Sequence, residues 1–251
     1  MTNERSSLGV RPDGEYQTGL DLLDTVLAAQ GHNRLLLSFS CGKDSLAMWL
    51  WLREQPRQLD IIPYFLYWIP GLSFVERALD YYEEIFGQHI IRLPHPLFYD
   101  MLTTFAYQPP QRVHIIENMQ LPRFDFADID NILAGEQGLG DKWYCAIGFR
   151  SKDGIDRRNL IKQMGVAGVK HRHFYYPIWD WDVEQVGGII NRHGVQLPED
   201  YRYWGRTLAA FDYQYLAPLK THFPADFERA RQWFPLIDAE FFRYEAMNGD
   251  D

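Results

Sequence analysis

The run Ser38-Phe39-Ser40-Cys41-Gly42-Lys43-Asp44-Ser45 constrains this chain more than any other stretch. It follows the apolar Leu35-Leu36-Leu37 and opens onto Leu46-Ala47-Met48-Trp49-Leu50-Trp51-Leu52, so it reads as strand, tight polar turn, helix. In that arrangement the backbone N–H groups of a helix N-terminus can hold a phosphate. The turn is not a Walker loop, which needs Gly-x-x-x-x-Gly-Lys-Ser/Thr. Here Asp44 stands between Lys43 and Ser45, and no second glycine precedes Gly42 in the turn.

Each residue type in the turn suggests a role. Gly42 allows a sharp bend and close approach to an anion. Ser40 and Ser45 offer hydroxyls to phosphate oxygens, and Ser45 can cap the helix. Lys43 is a flexible point cation. Asp44 repels a bare phosphate, so its presence suits a divalent cation lying between carboxylate and polyphosphate.

The periodicity predicts an opening helix over 17–29, a strand over 34–38, a helix over 45–55 and a strand from Ile61 to Tyr67. A Ser73/Glu76 capping box starts the next helix, which stops at Gly87, and a strand follows from His89 to Leu93. This β-α-β-α-β order with short links is that of a parallel sheet wrapped by helices. Residues 94–142 break the rhythm with Pro94, Pro96, Pro109, Pro110, Pro122 and a helix near Phe126–Leu133, and read as an insertion. Trp143–Phe149 returns as a strand, followed by a basic helix over Ile155–Met164. A short strand over His173–Tyr176 and a helix from Asp180 or Asp182 to His193 come next, then an aromatic, helical end.

Composition narrows the function classes. The chain has 251 residues, 46% of them hydrophobic, enough for one large α/β domain with an appended tail. No apolar run approaches the roughly 18 residues of a membrane span. The polar Met1–Gly14 has no leader-like hydrophobic segment, which makes a cytoplasmic location the simple expectation. With only two cysteines, Cys41 and Cys145, the chain cannot supply a disulfide framework or a four-cysteine cluster. The net charge of −9 disfavours non-specific nucleic-acid binding by the whole molecule. Between Arg150 and His173, however, seven Lys/Arg face two Asp, a basic island suited to a phosphorylated small ligand.

Two further segments carry chemistry. Gly148-Phe149-Arg150-Ser151-Lys152-Asp153-Gly154-Ile155-Asp156-Arg157-Arg158 lies at a strand's carboxyl end, where open parallel sheets bind ligands. Arg150 is expected across the crevice from the Ser40–Ser45 turn, gripping phosphate or sulfate at two points, with Arg157 or Arg158 as second cation. Tyr176-Pro177-Ile178-Trp179-Asp180-Trp181-Asp182-Val183 leads through Asn191-Arg192-His193-Gly194 to Leu197-Pro198 and Tyr201.

In order and approximate spacing, these three segments resemble the PP-loop ATP pyrophosphatases and the phosphoadenosine-phosphosulfate (PAPS) reductase family, over residues 34 to about 201. The resemblance implies a Rossmann-like parallel sheet with helices on both faces, of the adenine nucleotide alpha-hydrolase type, plus a helical C-terminal tail. The expected domains are a nucleotide-binding domain at 1–204, with the insertion at 94–142, and a helical extension at 205–251. It also implies ATP and Mg²⁺ as cofactors. Asp44, Arg150 and Lys43 become the catalytic residues, with Asp44 on the metal. Ser38, Phe39, Ser40, Cys41, Gly42, Ser45, Gly148, Arg157 and Arg158 become the nucleotide-binding set.

The family's reductases attack sulfate with a C-terminal cysteine in a Glu-Cys-Gly-x-His segment, which this chain lacks; Cys145 is its last cysteine. In the family's Gly-x-Arg segment a Glu-Ser pair often follows; here Asp153-Gly154 stands nearby. The Gly-Lys-Asp-Ser form is closer to members that handle ATP with magnesium, such as the sulfate adenylyltransferase small subunit. The expected reaction is therefore cleavage of ATP between the α- and β-phosphates, adenylylating an acceptor in sulfur-related transfer or modification. The acceptor stays open, nucleic acid and a partner protein included, and no membrane is involved. Three alternatives stand beside it: Cys145 as a persulfide or thiolate carrier, a sulfonucleotide enzyme working with an external thiol, and a nucleotide-sensing subunit of a homo-oligomer or complex.

Overall fold

The computed structural model describes residues 8–169, 172–207 and 210–248. Lys170, part of the basic island, and the first residues of the polar N-terminal stretch lie outside them. A mostly parallel six-stranded sheet runs in the order β3-β2-β1-β4-β6-β5. The strands are β1 (Arg34–Ser38), β2 (Asp60–Tyr67), β3 (Ile91–Pro94), β4 (Cys145–Ile147), β5 (Ala167–Gly168) and β6 (Phe174–Tyr175). β1 is central and parallel to both neighbours, Leu37 lying opposite Pro63 of β2 and Ala146 of β4. Leu35, Leu36 and Leu37 are fully buried, as a strand covered on both faces must be. β6 continues parallel to β4, and the short β5 closes the edge antiparallel.

The chain forms two compact units, Met1–Phe65 with Asp125–Leu197, and Leu66–Phe124 with Pro198–Asp251. This partition differs from the expected boundary at 204/205, and it divides the 94–142 insertion. Long-range packing, not chain order, sets the units. The first contains α1 (Gly19–Gln30), α2 (Lys43–Glu54), α6 (Phe126–Glu136), α7 (Ile155–Met164) and α8 (Val183–His193). α2 is buried almost all round, from Ser45 to Leu50 and at Leu52, because α8 packs along it. Trp51 meets Trp181 edge to face at 6.2 Å, and Glu54 accepts from Arg192 Nη2 at 2.9 Å and pairs with His193 Nε2 at 2.8 Å. α8 starts at Asp182, whose carboxylate and Gln185 form a reciprocal capping box, and stops at Gly194 in the left-handed region.

The second unit holds α3 (Ser73–Phe86), α4 (Pro96–Thr103), α5 (Pro110–Met119), α9 (Tyr201–Trp204), α10 (Tyr213–His222), α11 (Pro224–Trp233) and α12 (Ala239–Asn248). Its core is aromatic: Phe74, Phe98, Phe211, Phe223, Phe227 and Phe234 pack with Leu216 and Leu219. The expected Ser73/Glu76 capping box does not form. Buried Asp226 of α11 takes both the Ser73 N–H (2.8 Å) and its hydroxyl (2.7 Å), and Glu76 accepts from Arg92 Nε at 2.9 Å instead.

Candidate phosphate site

The Ser38–Ser45 turn and the segment from Gly148 to Arg158 meet within the first unit, at the carboxyl ends of β1 and β4. These strands are neighbours, while β1 leads through α2 to β2 on its other side. The crevice outside such a reversal in strand order is where open α/β sheets bind ligands.

The turn is built by its serines. Ser45 Oγ donates to Gly42 O (3.0 Å), accepts from Ser40 N (3.2 Å) and lies 3.1 Å from Ser40 Oγ. Ser40 Oγ in turn accepts from Gly42 N at 3.3 Å. One hydroxyl proton and two lone pairs are all that Ser45 has, so this buried side chain is spent on shaping the turn. The expectation that Ser45 caps the helix is thereby corrected. α2 starts two residues earlier than expected, at Lys43, with Gly42 at its N-cap and no side-chain cap, which leaves Ser45 inside the first turn. Ser40 is exposed and keeps capacity for a ligand.

Gly42 is not the strained position either: its φ of −77° is open to any residue. The left-handed conformation falls on Cys41, φ 57°, whose side chain is buried. Phe39 is a core residue, its ring edge-on to Trp49 at 5.0 Å, and only its backbone belongs to the turn, donating to Tyr64 O at 2.9 Å. Ser38 ends β1. Gly148 has a structural requirement. A Cβ there would sit 2.7 Å from Ser45 N, 2.8 Å from Ser45 Cα and 2.9 Å from Asp44 C, so the backbone after β4 lies directly on the first turn of α2.

Arg150 differs most from expectation. It does not face Asp44 across an open crevice; it binds it. Nε donates to Asp44 Oδ1 at 2.7 Å and Nη2 donates to Asp153 Oδ1 at 3.1 Å, with 3% of the Arg150 side chain exposed and 18% of Asp44. Lys43 Nζ lies 3.4 Å from the second oxygen, Asp44 Oδ2. A planar guanidinium bridging two carboxylates explains why an arginine can be buried here. Arg157 is held over the Phe149 ring, 4.4 Å from its centroid, and reaches Asp153 Oδ2 at 4.0 Å. Arg158 is exposed and makes no side-chain ion pair among the described residues.

Cys145 is not at the site's surface. It is fully buried beneath Tyr64, whose hydroxyl lies 3.4 Å from its sulfur, and burial pushes its thiol up to about 12. Tyr64 also donates to Asp130 Oδ1 (2.6 Å) and accepts from Arg172 Nη2 (2.7 Å), and Arg172 Nε donates to Asp130 Oδ2 at 2.5 Å. This network ties α6 to the sheet. An enclosed thiol held neutral by burial lacks the thiolate a sulfur carrier uses, which speaks against that expectation.

Among the described residues no group of three or more His, Cys, Asp or Glu is arranged to hold a metal ion, and no helix is long and apolar enough to cross a membrane. The donor set fits magnesium only as a companion of a polyphosphate. Asp44 is the carboxylate in the first turn of α2, and its oxygens are paired with cations, Oδ1 with Arg150 and Oδ2 with Lys43.

No family model matches the chain, and no curated protein matches it. Among solved structures it is similar to the U34-tRNA thiolase NcsA from Methanococcus maripaludis with its [4Fe-4S] cluster, at 14% identity. That match covers 90% of this chain and 82% of that one, with a TM-score of 0.44. It is also similar to the NH3-dependent NAD synthetase from Campylobacter jejuni subsp. jejuni NCTC 11168 in complex with the nitrate ion, again at 14% identity. Here 93% of this chain and 94% of that one are covered, with a TM-score of 0.42. Likeness at this level does not assign a family.

Proposed function

We propose that this chain binds the polyphosphate of an adenine nucleotide at the β1–α2 turn and cleaves ATP between the α- and β-phosphates, transferring the adenylyl group to an acceptor. The observation that carries this reading is the meeting of an uncapped α2 N-terminus with Lys43 and Arg150 at the reversal in strand order. Helix N-termini attract anions through their outward N–H groups and the helix dipole. Counting Lys43, Arg150 and Arg157 against Asp44 and Asp153, the cluster keeps one net positive charge inside an acidic protein.

In the reaction, an acceptor oxygen forms a bond to the α-phosphorus as the bond from that phosphorus to the bridging oxygen breaks. The electron pair leaves on pyrophosphate. The α2 N-terminus, the Ser40 hydroxyl and Lys43 hold that group and stabilise its growing charge. Asp44, fixed by Arg150, orients Lys43 and would hold a magnesium ion that accompanies the nucleotide, which would offset polyphosphate charge there. Both cysteines are buried and neither is in a disulfide, so a reductase step would need an external thiol.

Incubation with Mg·ATP followed by separation of the products tests this. Pyrophosphate with AMP or an adenylylated acceptor supports it; ADP with phosphate overturns it. The direct Arg150–Asp44 contact favours one second reading, nucleotide binding without turnover, because the guanidinium is already engaged. Saturable ATP binding with no product of any kind would favour that reading.

A further inference from the structure

The turn after β4 contains a carboxylate that phosphate binding alone does not call for. Asp153 ends the short 3-10 turn Ser151–Asp153, with 36% of its side chain exposed. One oxygen accepts from Arg150 Nη2 at 3.1 Å, and the other lies 4.0 Å from Arg157 Nε. Arg157 is already held by the Phe149 ring, and Lys152 turns instead to Asp182, 3.6 Å away. A single exposed carboxylate therefore faces two of the three cations nearest the α2 N-terminus. Two oxygens spread across two guanidinium groups is also how a phosphate would engage them.

We propose that Asp153 is a positioning residue that occupies Arg150 and Arg157 in place of phosphate oxygens, holding both guanidinium groups in order until an anion displaces it. This inference rests on the phosphate-site reading above. Arg150 has two ligands of like charge, but they are unequal. The Asp44 bond is the shorter and more enclosed, whereas the Asp153 bond is longer and open to water. Water weakens the Asp153 pair through screening and competition, so an incoming phosphate exchanges with Asp153 first and leaves the Asp44 anchor in place. Asp153 thus lowers anion affinity while keeping the cations from turning into solvent.

The test compares pyrophosphate binding by the unaltered chain, Asp153→Asn and Asp153→Glu, using calorimetric titration at two ionic strengths. Asn keeps the shape but removes the competing charge, so D153N is expected to bind about 2- to 5-fold more tightly, the range one partly exposed charge pair commands. Its advantage shrinks at the higher ionic strength, and D153E returns to the unaltered affinity. A residue serving only to support the turn gives the opposite sign, so binding by D153N that is equal or weaker overturns the inference while leaving the phosphate site standing. Should D153N prove insoluble, Asp153→Ser removes the same charge and is expected to tighten binding likewise. Absence of pyrophosphate binding in every one of these proteins removes the phosphate-site reading and this inference with it.

Discussion

Arg150 Nε donates to Asp44 Oδ1 at 2.7 Å, joining the segment after β4 to the first turn of α2 through an almost fully enclosed guanidinium. Removing either partner leaves the other with its weaker pair alone, Asp153 for Arg150 and Lys43 for Asp44. Asp44→Ala and Arg150→Ala are each expected to cost about 2 kcal/mol, below the roughly 3–5 kcal/mol of a buried charge left with no partner. Urea unfolding of both variants and of the double variant checks this. The double variant is expected to recover at least about 1 kcal/mol of the summed loss, and strict additivity would show that the pair is not coupled.

Gly148 is expected to tolerate no side chain. A methyl group in its place meets the backbone of Ser45 and Asp44 at 2.7–2.9 Å, and backbone cannot move aside as a flexible side chain would. Gly148→Ala should therefore displace the turn, destabilise the chain by about 1–3 kcal/mol, and weaken nucleotide binding together with it. Unfolding and ATP titration on the same sample measure both. Unchanged affinity would separate the β4 end from the site.

His95, in the second unit, gives a pH signature unconnected with the nucleotide. Its ring stacks on Trp68 at 4.7 Å, its Nδ1 accepts from Leu97 N at 3.1 Å, and burial lowers it from 6.5 to about 4. A base with a depressed pKa contributes stability that is complete above 6.5 and lost as pH falls toward 4, because the unfolded chain takes up the proton first. With the ring only partly buried and screened by water, the loss is on the order of 1 kcal/mol, well below the full shift taken at about 1.4 kcal/mol per unit. Denaturation curves at pH 7, 5.5 and 4.5 should show this decline, and His95→Asn, which can still cap α4, should flatten it.

Cys145 should resist alkylation in the folded chain and react only on unfolding, since it is fully buried and its thiol is raised to about 12. Cys145→Ser is expected to leave ATP cleavage within about twofold while costing about 1–2 kcal/mol of stability, as a hydroxyl replaces a sulfur in an enclosed site. Mass spectrometry after iodoacetamide treatment distinguishes the two states. Rapid native modification would reopen a thiol chemistry.

Much of the frame was legible because local signals agree with it. α7 spans Ile155–Met164 as its flanking Gly154 and Gly165 suggest, and Asp182 starts α8 through the capping box that its Gln185 permits. Three leucines in a row marked a strand, and β1 forms there, buried at the centre of the sheet. What escaped depends on contacts distant in sequence. Ser73 looked like a cap until Asp226 of α11 reached its N–H, and the two-residue β5 carries too little pattern to find. At the candidate site, residue types pointed to a strand, turn and helix but not to the use of each atom. Nothing in the order Ser-Cys-Gly-Lys-Asp-Ser shows that Ser45 spends its hydroxyl inside the turn, that Cys41 takes the left-handed backbone, or that Arg150 grips Asp44. The last of these depends on how closely Gly148 brings the end of β4 to α2.

The central claim is that the first turn of α2 holds the departing pyrophosphate of an adenine nucleotide. A crystal structure of the chain with a non-hydrolysable ATP analogue and magnesium tests it most directly. The account expects β- or γ-phosphate oxygens about 3 Å from backbone N–H groups between Gly42 and Ser45, with Lys43 and the outer face of Arg150 turned to them. Nucleotide bound away from this turn, with Arg150 still shared between Asp44 and Asp153, would contradict it.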